Sequence, residues 1–331
     1  MSNLKIKSIT PIGSWSGPTD HLLTTPEEFA QGLRRIGTPL YAVDHGEAFG
    51  LASGGSVEMG GDPQGDPRLH GLPLLAVSPT CRPQNFGSAS FARDHGVRFC
   101  YLAGAMANGI GSVELVEAMG RAGMLAFFGA AGLGPDTVED AIDRISTRLG
   151  DLPWGFNLIH SPYEPLLEEA IADLYSRRGV TRVSASAYMD LTLSLVRYRL
   201  HGIRSDPSGA VVTPNRLIAK VSRIAVARKF LAPPPSTILA ELVARGDLSE
   251  EQARMAESVP VAQDLTVEAD SGGHTDNRPA LALLPTMLAL RDRIQAEYDY
   301  AVPLRVGSAG GISTPHSVAA AFAMGADYVM T

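Results

Sequence analysis

One loop concentrates groups suited to proton chemistry. In EADSGGHTDNRP, Glu268 to Pro279, His274 follows Gly272 and Gly273 and is crowded by Asp270, Asp276, Asn277 and Arg278. Paired glycines let the backbone turn closely. Imidazole, with an ordinary pKa of about 6.5, is the side chain best matched to proton transfer near neutrality. No second histidine or cysteine stands at ligand spacing nearby, so a zinc site has little support. A second string, GSAGGIST from Gly307 to Thr314, runs directly into Pro315. There Gly310, Gly311 and Ile312 can offer backbone N–H groups at a helix N-terminus, an arrangement that cradles phosphate. Together the two strings point to a phosphate-bearing cofactor held beside a proton-transfer group. No GxSxG nucleophile elbow and no P-loop occurs.

Three further positions carry possible chemistry. AGAMANGIG, Ala103 to Gly111, includes Gly104, Ala105, Met106 and Asn108. Its small residues would let a flat ligand or a phosphate approach backbone amides, or would simply make a tight strand-to-helix turn. Asn157 interrupts the apolar run of GFNLIHSP, and a buried amide needs partners. A polar ligand edge and the cap of a neighbouring loop are both open, and His160 just beyond reads as a loop residue. Lys220, in LIAKVSR, sits inside an apolar run and must meet something anionic or electron-rich, either a ligand or a structural ion pair. Around it, Arg197, Arg199, Arg204, Arg216, Lys220, Arg223, Arg228 and Lys229 face Asp206 alone, a local charge of +7. That stretch is a docking surface for an acidic or phosphorylated partner, or a solvated helix face.

The elements that must position these residues follow from periodicity. From about residue 97, short apolar runs suited to strands buried on both faces alternate with segments of helical period. The runs are Arg98 to Ala103, Met124 to Phe128, Trp154 to Leu158, Arg182 to Ser186, Leu217 to Val221, Leu265 to Ala269, Leu304 to Ser308 and Tyr328 to Met330. Helices are expected over Ser112 to Arg121, Asp136 to Leu149, Glu164 to Arg177 and Arg278 to Tyr298. A last helix is capped by Thr314, started by Pro315 and ended by Gly325. Eight βα-type strands closing on themselves make a TIM (β/α)8 barrel, with chemistry at the C-terminal ends of its strands. An open doubly wound sheet is the alternative, but AGAMANGIG matches its glycine fingerprint only loosely. Residues 232–260 read as an inserted helical hairpin, opened after a run of three prolines and boxed by Ser249 and Gln252. Residues 1–95, with short strands, turn clusters and one helix near Pro26 to Ile36, read as an N-terminal extension to a barrel over 96–331.

Composition narrows the class further. The chain has 331 residues, 45% hydrophobic and 19% charged, which excludes a disordered chain. A net charge of −7 disfavours nucleic acid as a partner. Cys81 and Cys100 fit no CxxC spacing and read as reduced thiols of a cytoplasmic protein. No stretch reads as a membrane span or a signal peptide.

The strings YLAGAMANGIGSVELVEAMGRAGMLAFFGAAGL, NLIHSPYEP, PNRLIAKVSR, VEADSGGHTDNRP and SAGGIST with FAMGADYV resemble a known family from about Leu74 onward. It is the trans-acting enoyl reductases of polyketide and polyunsaturated-fatty-acid synthases (PfaD type), within the FMN barrels that include nitronate monooxygenases. The resemblance implies an FMN-bound barrel that uses NADPH to reduce an α,β-unsaturated thioester on an acyl carrier protein. It implies flavin contacts from Gly104, Ala105, Met106, Asn108, Asn157, Lys220, Gly272, Gly273, Gly310 and Gly311. Lys220 would stabilise negative charge on the reduced ring, and His274 would be the catalytic acid. The basic stretch could receive the carrier protein, and a homo-oligomer is left open. A nitronate-oxidising flavin enzyme with His274 as base, and an idle barrel docking within a synthase, are the alternatives. Because the family continues past strand eight whereas this chain stops at Thr331, the barrel is expected to be truncated or completed by a partner.

Overall fold

The computed structural model describes residues 9–46, 48–60, 71–270 and 276–331. Contacts divide the chain into two compact units, Met1–Asn85 and Phe86–Thr331.

In the first unit, helix α1 (Pro26–Leu33) begins at a reciprocal cap between Thr25 and Glu28, with Pro26 in its first turn. The strands β1 (Gly13–Ser16), β2 (Leu40–Asp44), β3 (Phe49–Ala52), β4 (Ser56–Met59) and β5 (Leu72–Ser78) form an antiparallel sheet in the order β3-β2-β5-β1-β4. Its small core gathers Trp15, Leu22, Val43, Ala52 and Leu74.

The second unit is a closed parallel barrel. Its strands are β6 (Tyr101–Ala103), β7 (Leu125–Phe128), β8 (Gly155–Ile159), β9 (Arg182–Ser186), β12 (Arg216–Val221), β13 (Asp264–Glu268), β14 (Arg305–Ala309) and β15 (Val329–Met330). The eight expected runs are these strands. A two-residue hairpin, β10 (Arg204–Ser205) with β11 (Val211–Val212), lies outside the ring. Helices follow in turn: α2 (Ala89–His95), α3 (Val113–Arg121), α4 (Pro135–Leu149), α5 (Pro165–Arg177), α6 (Leu193–Leu200), α7 (Ile224–Leu231), α8 (Ser236–Ala244), α9 (Glu250–Ala256), α10 (Ala280–Tyr298) and α11 (Pro315–Ala323). Helix α4 shows why the pattern was readable: Val138, Ala141, Ile142, Ile145 and Leu149 are buried at three- and four-residue steps. The Ser249–Gln252 box opens α9 as expected. Among the described residues no helix is long and apolar enough to cross a membrane.

Helix α2 belongs to the barrel unit, so the division falls earlier than the expected boundary at residue 95. Phe91 is fully buried among Leu102, Leu125, Phe127, Ile218 and Tyr328, plugging the ring interior. Its ring lies 4.3 Å from that of Tyr328 and 4.2 Å from that of His95. A helix of seven residues is too short to show a period, which is why the plug was not legible.

Below the plug the strand starts carry charge. Arg305 Nε meets Asp264 Oδ1 at 2.5 Å, Nη2 meets Oδ2 at 3.1 Å, and Nη1 reaches Asp94 at 2.7 Å. His95 Nε2 lies 2.9 Å from Asp264 Oδ2. Arg305 and Asp264 are each only 1% exposed, so the pair is desolvated and tolerable only because both partners are present. Burial pushes His95 below its ordinary value although Asp264 pulls the other way. Its Nδ1 is buried with no hydrogen-bond partner among the described residues, consistent with a neutral ring whose Nε2–H donates to Asp264. Arg305 and His95 hold the Asp264 carboxyl well below the usual carboxylate range against its desolvation.

Two outcomes follow from this floor. Asp264→Asn, which leaves the buried Arg305 guanidinium with Asp94 as its one carboxylate partner among the described residues, is expected to cost about 3–5 kcal/mol in urea unfolding. Because the folded pKa of His95 lies below the unfolded value of about 6.5, only the unfolded chain gains a proton as pH falls through that value. Stability should therefore be full above about pH 6.5 and decline below it. His95→Gln should flatten the urea midpoint between pH 7 and 5.

Candidate active site

The C-terminal ends of the barrel strands carry most of the residues singled out from the sequence. After β6 the backbone folds against the loop after β7: Asn108 N–H donates to Ala131 O at 2.8 Å, Gly109 to Gly129 O at 2.9 Å and Gly129 to Gly111 O at 2.8 Å. A Cβ on Gly129 would stand 1.6 Å from Met106 O, so this loop pairing requires glycine there. After β14, Gly310 and Gly311 take positive φ of 89° and 68°. A Cβ at Gly310 would clash with Ala269 O at 2.3 Å, whereas one at Gly311 would meet nothing nearer than 3.7 Å. Ser317 Oγ accepts from Ser313 N–H at 3.1 Å and Thr314 N–H at 3.0 Å, closing the first turn of α11. The N–H groups of Gly310, Gly311 and Ile312 have no acceptor among the described residues.

These loops enclose a hollow of about 250 Å³ lined by Gly104, Ala105 and Met106, by Ala309 to Ile312, by Met330 and Thr331, and by Lys220 and Glu268. Gly104, Ala105, Met106, Lys220, Gly310 and Gly311 thus meet at one place. Two expected contacts do not join them. Asn108 Oδ1 lies against Gly132, at 2.3 Å from where a Cβ would stand. Asn157 is buried, and its Oδ1 accepts from Ala130 N–H at 2.7 Å and Ala131 N–H at 3.3 Å, capping the loop after β7. Gly272, Gly273 and His274 lie outside the described residues.

Lys220 is one-quarter exposed and makes an ion pair with Glu268, Nζ to Oε1 2.9 Å. Both side chains also line a second hollow of about 310 Å³, with Ala187, Tyr188, Met189, Ser222, Arg223, Val226 and Asp276. There Asp276 accepts from Arg223 Nε at 2.9 Å and Nη2 at 3.1 Å, and from Ser222 Oγ at 2.9 Å. Those hydrogen bonds, Arg223's first, bring the Asp276 carboxyl down to about 2.

Sequence reasoning missed Glu268 and Glu168. Glu168, on α5 and 4% exposed, accepts from Thr192 Oγ1, from Ser161 N–H at 3.2 Å and from His160 Nδ1 at 3.0 Å. It ties the loops after β8 and β9 to the helix layer, and its only sequence signal was His160 itself.

The basic stretch is not a cationic face. Arg197 pairs with Asp173 and Glu169, Arg216 with Asp94, Lys220 with Glu268, Arg223 with Asp276, Arg228 with Glu297 and Lys229 with Asp190. Arg199 is buried and donates to the carbonyls of Asn215 and Pro260. Arg204, the remaining cation, has no carboxylate partner among the described residues and donates to Gly202 O at 3.2 Å. The acids that balance these cations lie elsewhere in the chain, where a local charge count cannot see them.

No family model matches the chain. It is 44% identical over 249 residues to "Polyketide biosynthesis protein PksE" of Bacillus subtilis, covering 75% of this chain and 32% of that protein. It is 45% identical over 253 residues to a polyunsaturated fatty acid synthase subunit of Thraustochytrium, covering 76% of this chain and 17% of that protein. The chain therefore spans less than a third of the length of these relatives. The crystal structure of the enoyl reductase domain of MlnA, from the macrolactin biosynthesis cluster of Bacillus amyloliquefaciens, superposes with a TM-score of 0.73 at 41% identity. That match covers 76% of this chain and 56% of the other.

Asn157→Leu removes the acceptor of two backbone N–H groups and is expected to cost about 1–3 kcal/mol in chemical denaturation. An unchanged midpoint would show that water replaces the amide.

Proposed function

We propose that this chain, which belongs to the family of enoyl-reductase barrels found in polyketide and polyunsaturated-fatty-acid synthases, is an FMN-dependent reductase of enoyl thioesters that draws hydride from NAD(P)H. The observation that carries this reading is the glycine-lined hollow, where N–H groups of Gly310, Gly311 and Ile312 that have no acceptor among the described residues share one wall system with the Lys220 ammonium. The residues present fit a flat, phosphate-bearing ring. Consecutive N–H groups ahead of α11 suit a phosphate. A side chain at Gly311 would project into the space such a ligand needs, and one at Gly104 would press on Met330 Sδ at 3.2 Å. Lys220, which lines the hollow, would offer positive charge to a flavin that gains negative charge on reduction.

Bound FMN supplies a two-electron carrier between NAD(P)H, oxidised to NAD(P)+, and the β-carbon of the enoyl thioester. The chain's own residues bind, orient and protonate. Gly310 to Ile312 would hold the phosphate, and the small residues Gly104 and Ala105 would admit the ring to the backbone. The α-carbon then needs one proton to complete the saturated thioester. We assign that proton to His274, on the resemblance of its Gly-Gly-His string and on the fitness of imidazole for the task. The acyl chain is carried by a carrier protein of the synthase. The pairing of most cations of the basic stretch within the chain argues against that stretch as its docking face.

Purified protein mixed with FMN should acquire a bound-flavin spectrum, lose it on anaerobic addition of NADPH and regain it on addition of an enoyl thioester. Protein that takes up no FMN would sink the reading, and bleaching by a nitronate but not by NADPH would turn it toward nitronate oxidation. His274→Ala should keep the flavin and slow enoyl turnover about a hundredfold or more.

A further inference from the structure

The Lys220–Glu268 pair forms the wall shared by the two hollows, since both side chains line each of them. The sheet fixes the backbone on either side. Val221 pairs with Val267 between β12 and β13, and Glu268 pairs with Ala309 between β13 and β14. Only side-chain rotation can part the two charges. The ammonium and carboxylate are 25% and 28% exposed, so water screens them only in part. Among the described residues neither has another ion-pair partner, because the neighbouring Arg223 is taken up by Asp276.

Location argues against a purely structural role. The buried pair of this barrel, Arg305 with Asp264, sits on the floor at 1% exposure and joins α2 to the strands through His95 and Asp94. Lys220 and Glu268 lie on strands already joined by their own ladder, at the mouth, facing open space. A carboxylate 2.9 Å from an ammonium cancels much of the field it projects, so a ligand against Lys220 meets a dipole and not a full charge.

We propose that Glu268 sets the charge Lys220 presents to the ligand of the glycine-lined hollow. While paired, Lys220 suits a neutral ring; released by rotation of Glu268, it suits an anionic one. The proposal rests on the flavin reading above. Reduction of FMN by two electrons with uptake of one proton leaves an additional negative charge on the ring. Lys220 therefore favours the reduced form only as far as Glu268 gives it up.

Glu268→Gln keeps the side chain's size and its oxygen acceptor but removes the competing charge. The variant is expected to bind reduced FMN, relative to oxidised FMN, about tenfold more tightly than the unaltered protein, a rise of about 30 mV in the two-electron midpoint potential. Anaerobic titration with dithionite against a reference dye reads that potential. Lys220→Gln should lower it, and in the double variant the increment from Glu268→Gln should vanish. An unshifted potential in Glu268→Gln, or the same rise in the Lys220→Gln background, overturns the proposal and leaves the flavin reading standing. Unaltered protein that binds no FMN overturns both. Should Glu268→Gln fail to fold by thermal melt, Glu268→Asp draws the carboxylate back by one methylene and should raise the potential in the same direction; no rise overturns the proposal.

Discussion

A ring of buried parallel strands leaves no backbone edge unpaired only if its last strand meets its first. In this barrel the seam is short. Val329 pairs with Tyr101 and Met330 with Leu102. Val329 N–H donates to Cys100 O at 3.0 Å, Gly104 N–H to Thr331 O at 2.8 Å, and the Tyr101 and Thr331 hydroxyls lie 3.0 Å apart. Below the seam, Ser88 N–H holds Asp327 O at 2.8 Å while Phe91 stacks on Tyr328. Above it lies the glycine-lined hollow, whose walls come from both sides of the join. The geometry of the proposed cofactor site is thus a property of ring closure more than of any one loop.

Charge is distributed to the same plan. On the floor, Asp264, Arg305, His95 and Asp94 make a water-excluded cluster that fixes how β13 and β14 enter the ring. At the mouth the pairs Lys220–Glu268 and Arg223–Asp276 remain partly solvated and flank open space. Strand β13 therefore begins in a desolvated pair with β14 and ends in a partly solvated pair with β12. Barrels commonly separate stability at the bottom from chemistry at the top, and along β13 burial changes in that sense within five residues, from Asp264 at 1% exposure to Glu268 at 28%.

Much of the fold was legible because doubly buried strands and amphipathic helices write their periods into adjacent residues. The closed ring of eight and the capped starts of α1, α9 and α11 follow from such local signals. What was hidden depends on distant partners or on segments too short to have a period. The plug α2 and the short helices α6 and α7 fall in the second class. Asn157 shows the first: its polarity marked it as unusual, but only the fold reveals that Ala130 and Ala131 claim its oxygen. Lys220 was likewise conspicuous alone, whereas Glu268, at the end of the neighbouring strand, looked like one acid among several. His274, the most conspicuous residue of the sequence, lies outside the described residues and rests on its string alone.

The internal pairing of the basic stretch bears on how any partner finds this protein. Arg197, Arg228 and Lys229 are held by acids of the same chain, so from outside their charges act as close dipoles. Dipolar fields fade faster with distance than those of bare charges, and salt at cellular strength screens what is left within about 8 Å. An incoming molecule would feel little pull toward this region until it nearly touched. Recognition there would depend on surface fit at contact and would change little with ionic strength.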